Sequence, residues 1–218
     1  MSTISTSLSD FFAEATVLLT NAQEHADIAA ALEALGYDAA TLAEGQALLD
    51  TARDLYDAQI REYGEQHAAT QAFVDASEAA DKVYGDHRRL SKLAFKNDAQ
   101  RQTDLHLDEH KPRAFSSWYQ QARHFYTALL ADSEAQTALA RFNVTADDLS
   151  AAQAQVEGVA SLNNAQEQEK GEAQAATQER DAAIEALDDW LADFRVVARN
   201  ALEDDPQLME ALHMGAIP

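Results

Sequence analysis

Eight acidic side chains recur at one spacing. Glu62-x-x-Glu65 is followed after twelve residues by Glu78-x-x-Asp81, and the pattern returns as Glu169-x-x-Glu172 and Glu185-x-x-Asp188. Carboxylates three residues apart project from the same face of a helix. Two such pairs on facing helices would form an all-oxygen donor set suited to Mg²⁺ or Mn²⁺, ions that can hold the phosphates of a nucleotide. The same acids serve equally as a solvated helix face or as partners in salt bridges between helices, since an acidic, Ala-rich chain produces such patterns readily.

Other residue types offer less. His106-x-x-Glu109-His110 reads literally as an inverted zinc-protease motif, two His ligands with a Glu base, but it lies beside Lys111-Pro112, where a proline ends helices; a linker is the expectation. Glu210-x-x-His213 has the spacing of half a ferritin-like di-iron site, yet Thr103 stands at the corresponding Glu position and no second pair exists. His25, His67, His87 and His124 have no His at the matching position of the other half and read as surface or boundary residues. The chain holds no Cys, which removes disulfides, thiolate metal sites and a Cys nucleophile, and no glycine-rich phosphate-binding motif or Gly-x-Ser-x-Gly occurs.

The acidic spacing resembles the Glu-x-x-Glu and Glu-x-x-Asp motif of the all-α nucleoside triphosphate pyrophosphatases of the MazG type, over about twenty residues in each half. That resemblance implies a Mg²⁺- or Mn²⁺-dependent NTP hydrolase with Glu62, Glu65, Glu78, Asp81, Glu169, Glu172, Glu185 and Asp188 as metal ligands. Arg88 and Arg195 are then the candidates for gripping phosphate. The segment Glu185-Ala186-Leu187-Asp188-Asp189-Trp190-Leu191, continuing to Ala211-Leu212, resembles the ends of bacterial tandem-repeat helical-bundle proteins to which no activity is attached, and it implies no function.

The elements that must position these groups are helical. Of 218 residues 46 are Ala, against 7 Gly and 3 Pro, and 46% are hydrophobic, enough for a sizeable core. The formal charge of −22 disfavours nucleic acid and anionic membrane partners, because both are gripped by Lys and Arg. It suits a salt-rich, screening cytoplasm as well as it suits an ordinary acidic protein. No apolar run approaches the ~20 residues that span a bilayer, and Met1 to Leu19 carries no basic residue; the expected location is cytoplasmic.

Laid over one another without a gap, segments 31–94 and 138–201 agree at 23 of 64 positions. We read this as a tandem duplication of a ~107-residue helical unit, with copies at 1–107 and 108–218, packed as two bundles or one intertwined bundle. Each copy should hold a first helix, near 8–24 in copy one, with Phe11, Phe12, Ala15 and Leu19 on one face and Trp118, Tyr119, Ala122 and Tyr126 matching them in copy two. A short helix ends at Gly36 or Asn143, and a long one starts at the N-caps Asp38 or Thr145. Asp98 and Asp205 start a last short helix. Residues 57–72 and 164–181 turn polar around Gly64 and Gly171, which predicts long helical hairpins with polar tips, a continuous bent helix being the alternative.

These readings describe an all-α protein whose function is not written in its motifs. The expectation is a non-enzymatic acidic scaffold without a cofactor, acting through a protein partner or self-association. The two alternatives are the metal-dependent hydrolase and a small-ligand binder between the copies, lined by Trp118, Tyr119 and Trp190.

Overall fold

The computed structural model describes residues 7–214, and every regular element among them is a helix. In chain order these are α1 (Leu8–Glu24), α2 (Ala26–Glu33), α3 (Ala39–Ala94), α4 (Ala99–Asp104), α5 (Phe115–Ala131), α6 (Ser133–Ala140), α7 (Ala146–Ala201) and α8 (Pro206–Ala211). The boundaries of α5 to α8 follow those of α1 to α4 at one constant displacement along the chain. None of these helices is long and apolar enough to cross a membrane.

Side chains placed ahead of α1, α3, α4, α6, α7 and α8 explain where these helices start, whereas α2 and α5 begin without a side-chain cap. Asp38 Oδ1 accepts from the amides of Ala40 and Thr41, while Thr145 and Asp148 cap one another reciprocally at the start of α7. Asp98 and Asp205 accept from Arg101 N and Leu208 N at α4 and α8. The stops are equally local. Gly36 and Asn143 have positive φ, and the amide pairs Gly36 to Glu33 O with Tyr37 to Leu32 O, and Asn143 to Ala140 O with Val144 to Leu139 O, close the two ends in Schellman fashion. His106 and His213 do the same after α4 and α8, with φ of 49° and 58°.

The expected hairpins do not form. Residues 57–72 and 164–181 run on as helix, so α3 and α7 are each 56 residues long. Neither Gly64 nor Gly171 adopts a positive φ, and no capping residue follows either one. A helical Gly costs only about 0.5–1 kcal/mol relative to Ala, too little to interrupt a run of Ala, Gln and Glu. The polarity of these stretches records a mostly exposed helix surface, not a turn.

The chain divides into two compact units, Met1–Tyr63 with Glu172–Pro218, and Gly64–Gly171. Each unit takes one half of α3 and one half of α7, so each is assembled from both halves of the sequence. In the first, Phe12 and Leu19 of α1, Ile28 and Leu32 of α2, Leu49 of α3 and Leu187, Leu191 and Phe194 of α7 are buried together. In the second, Tyr84 of α3, Trp118, Phe125 and Tyr126 of α5, Leu139 of α6 and Leu149, Val156 and Val159 of α7 form the core. Among them Phe12, Leu19, Trp118 and Tyr126 lie on the helical stripes that the sequence periodicity marks out, and each fully buried large side chain contributes about 1.5–3 kcal/mol.

Candidate functional site

Because α3 is continuous, Glu62-x-x-Glu65 and Glu78-x-x-Asp81 are separated by about 24 Å of helix and do not converge on one ion. The same holds for Glu169-x-x-Glu172 and Glu185-x-x-Asp188 on α7. Within the second unit, Glu65 and Glu169 bring carboxylate oxygens within 4.8 Å of each other. Glu62 stands one turn before Glu65 on α3 and is half-buried. Asp81 is committed elsewhere: it accepts from Lys111 Nζ at 2.6 and 2.7 Å and from Trp118 Nε1 at 2.8 Å. Glu78, Glu172, Glu185 and Asp188 are exposed.

The arginines proposed to grip phosphate are also in use. Arg195 pairs with Glu14 at 2.8 Å. Arg88 is buried, and its Nη2 donates to the carbonyls of His106 and Glu109. The aromatics proposed to line a ligand site are divided: Trp118 and Tyr119 pack in the core of the second unit, Trp190 in that of the first.

A connected polar arrangement lies where the sequence suggested a linker. Residues 105–114 contain no helix, and Leu105 and Leu107 tuck into the core of the second unit. Between them His106 takes its left-handed turn and leaves its ring at the surface. Its Nδ1 meets Glu109 Oε1 at 2.9 Å. Glu109 Oε2 accepts from Gln121 Nε2 at 3.5 Å, and Gln121 Oε1 accepts from Tyr84 O–H at 3.0 Å. Gln121 is buried among aromatic side chains of α5. Burial, partly offset by Arg88, pushes the Tyr84 hydroxyl up to about 12, so it remains a donor. On α5, His124 Nε2 donates to the carbonyl of Asp104 at 2.7 Å, and its ring stands 5.1 Å from that of His106.

Two clefts flank this loop. The one over His106 and His124 has a volume of about 460 Å³ and is otherwise lined by Glu109, Pro112, Ser116, Ser117, Gln120 and Gln121. On the other side, a cleft of about 450 Å³ is walled by Phe73, Phe115 and Trp118, with Lys111 and Arg113 at its edge. Phe73 meets Phe115 edge-on at 5.3 Å, and Phe115 stacks on Trp118 at 6.1 Å. The sequence pattern marks His106-x-x-Glu109-His110 as a linker and His124 as a surface or boundary residue; the left-handed helix stop that turns His106 toward α5 carries no signal in that pattern. No family model, no curated protein and no solved structure matches this chain.

Proposed function

We propose that the chain is a duplicated, non-enzymatic helical protein that acts by binding a partner protein. The constant displacement between corresponding helix boundaries, and between the left-handed helix stops, supports the duplication. The observation that carries the binding role lies on α3 in the first unit. Ile60 and Tyr63, one helical turn apart, expose 52% and 53% of their surface in a stretch that is otherwise mostly polar. Asp57 is exposed one turn earlier, and the net charge of −22 favours a partner with a basic surface, which it would attract over long range.

A photo-crosslinking residue at position 63 should capture a discrete basic protein from the host extract, while the same residue at exposed position 44 of α3 captures none. Ile60→Asp should abolish the adduct. Equal labelling at both positions, or none at either, refutes this reading.

The approach of Glu65 to Glu169 favours a second reading, a Mg²⁺- or Mn²⁺-dependent hydrolase. Under it, Glu65→Gln with Glu169→Gln removes Mg²⁺-dependent NTP hydrolysis; a wild-type chain that hydrolyses no NTP with Mg²⁺ or Mn²⁺ excludes it.

A further inference from the structure

We propose that His106 and His124 form a two-imidazole site for a divalent transition-metal ion of the copper, nickel and zinc group. The hydrogen bonds define the ring nitrogens. A carbonyl oxygen only accepts, so His124 carries its proton on Nε2 toward Asp104 and leaves the lone pair on Nδ1. A carboxylate likewise only accepts, so His106 carries its proton on Nδ1 toward Glu109 and leaves the lone pair on Nε2. Each ring thus has one nitrogen bound to an oxygen and the other ready for a metal, the second-shell arrangement typical of metal-ligating His.

Spacing agrees with this. Two imidazoles bound to one ion at about 2.0 Å with a tetrahedral angle hold their ring centres about 5 Å apart. Here the ring centres are 5.1 Å apart. The loop that carries His106 is held in advance: Arg88 binds the carbonyls of both His106 and Glu109, and Gln121 binds the Glu109 side chain. The cleft of about 460 Å³ above the rings leaves room for water in the remaining coordination positions. Only one such site is expected per chain. His213 repeats the left-handed turn of His106 in the first unit, but Val17 stands where a second imidazole would be needed.

The test uses the untagged full chain and Cu²⁺ as probe. Titration calorimetry should find one tight Cu²⁺ per chain, and electron paramagnetic resonance should show two coordinating imidazole nitrogens. His106→Asn, which tolerates positive φ, and His124→Gln should each weaken binding at least tenfold. Glu109→Gln should weaken it about tenfold through lost orientation of His106, whereas His67→Gln, at an exposed position of α3, should leave it unchanged. His124 is exposed on α5, so its Gln variant keeps the test decisive if a loop variant misfolds. Unchanged binding in His124→Gln, a single bound nitrogen, or an equal loss in His67→Gln overturns the proposal.

Discussion

Gly45 on α3 lies directly beneath the indole of Trp190 on α7: a methyl group at Gly45 would stand 2.5 Å from Trp190 Cη2. The indole also stacks on Phe194, at 5.4 Å and 10° between planes. The ring is contacted on two sides, and a methyl group at Gly45 would have to displace it. The matching positions of the other half hold Ala152 and Val83 in the core of the second unit, a larger residue where the first unit has Gly and a smaller one where it has Trp. Gly45→Ala is expected to destabilise by about 1–3 kcal/mol through overpacking. Trp190→Val, copying the other unit, should make Gly45→Ala less harmful, so the double variant loses less than the sum of the singles in urea unfolding.

Gly64 and Gly171 have the opposite prospect. Both lie inside long helices with nothing within 4 Å of an added Cβ. Gly64→Ala and Gly171→Ala should each stabilise by about 0.5–1 kcal/mol, because Ala loses less backbone freedom on folding. Thermal unfolding reads the sign directly. A hairpin turn at either residue would give a loss instead.

Arg88 anchors the loop over the second core with bonds to two carbonyls. Arg88→Met keeps the apolar stem and orphans both acceptors, at a cost of about 2–4 kcal/mol. Hydrogen exchange should show the amides of residues 105–111 opening first in this variant, ahead of the rest of the second unit.

His87 sets a pH dependence. Its Nδ1 lies 3.2 Å from Tyr126 O–H, and burial lowers its pKa, against the pull of Asp148 and Asp86. The unfolded chain therefore takes up this proton first as pH falls. The stability contribution is complete above the unfolded value of about 6.5, and it declines below that until the folded His is protonated too. The melting temperature should fall between pH 7 and pH 5, and His87→Gln should flatten that window. Asp98, Asp132 and Asp148 have lowered pKa values, through hydrogen bonds led by Arg101 N, the Arg101 side chain and the Thr145 hydroxyl respectively. Their contributions are lost only in more acidic solution, below about pH 4.

Salt should stabilise the protein. With 38 acidic and 16 basic residues, folding gathers mutually repelling carboxylates that added NaCl screens. The melting temperature should rise steadily from 0.01 M toward 1 M salt, roughly as the Debye length falls from about 30 to about 3 Å. A flat response would show that the surplus charge is already dispersed by local pairing.

Local chemistry in the sequence was enough to define the all-helical class, the buried stripes and most helix ends. Asp38, Thr145, Asp98 and Asp205 bond amides two or three residues away, and Gly36 and Asn143 take the left-handed turn; none of this needs a tertiary partner. The choice between hairpin and continuous helix was undecided, since a polar stretch around Gly has the same composition in either form. The low local cost of a helical Gly settles it, whereas tertiary structure decided everything that depends on distant segments: which half of α3 packs with which half of α7, the withdrawal of Asp81 and Arg88 into structural contacts, and the meeting of His106 with His124. Each of those pairings joins segments separated by at least several helical turns of chain. They arise because the apolar face of an amphipathic helix is satisfied by any partner of matching shape, and only packing selects one.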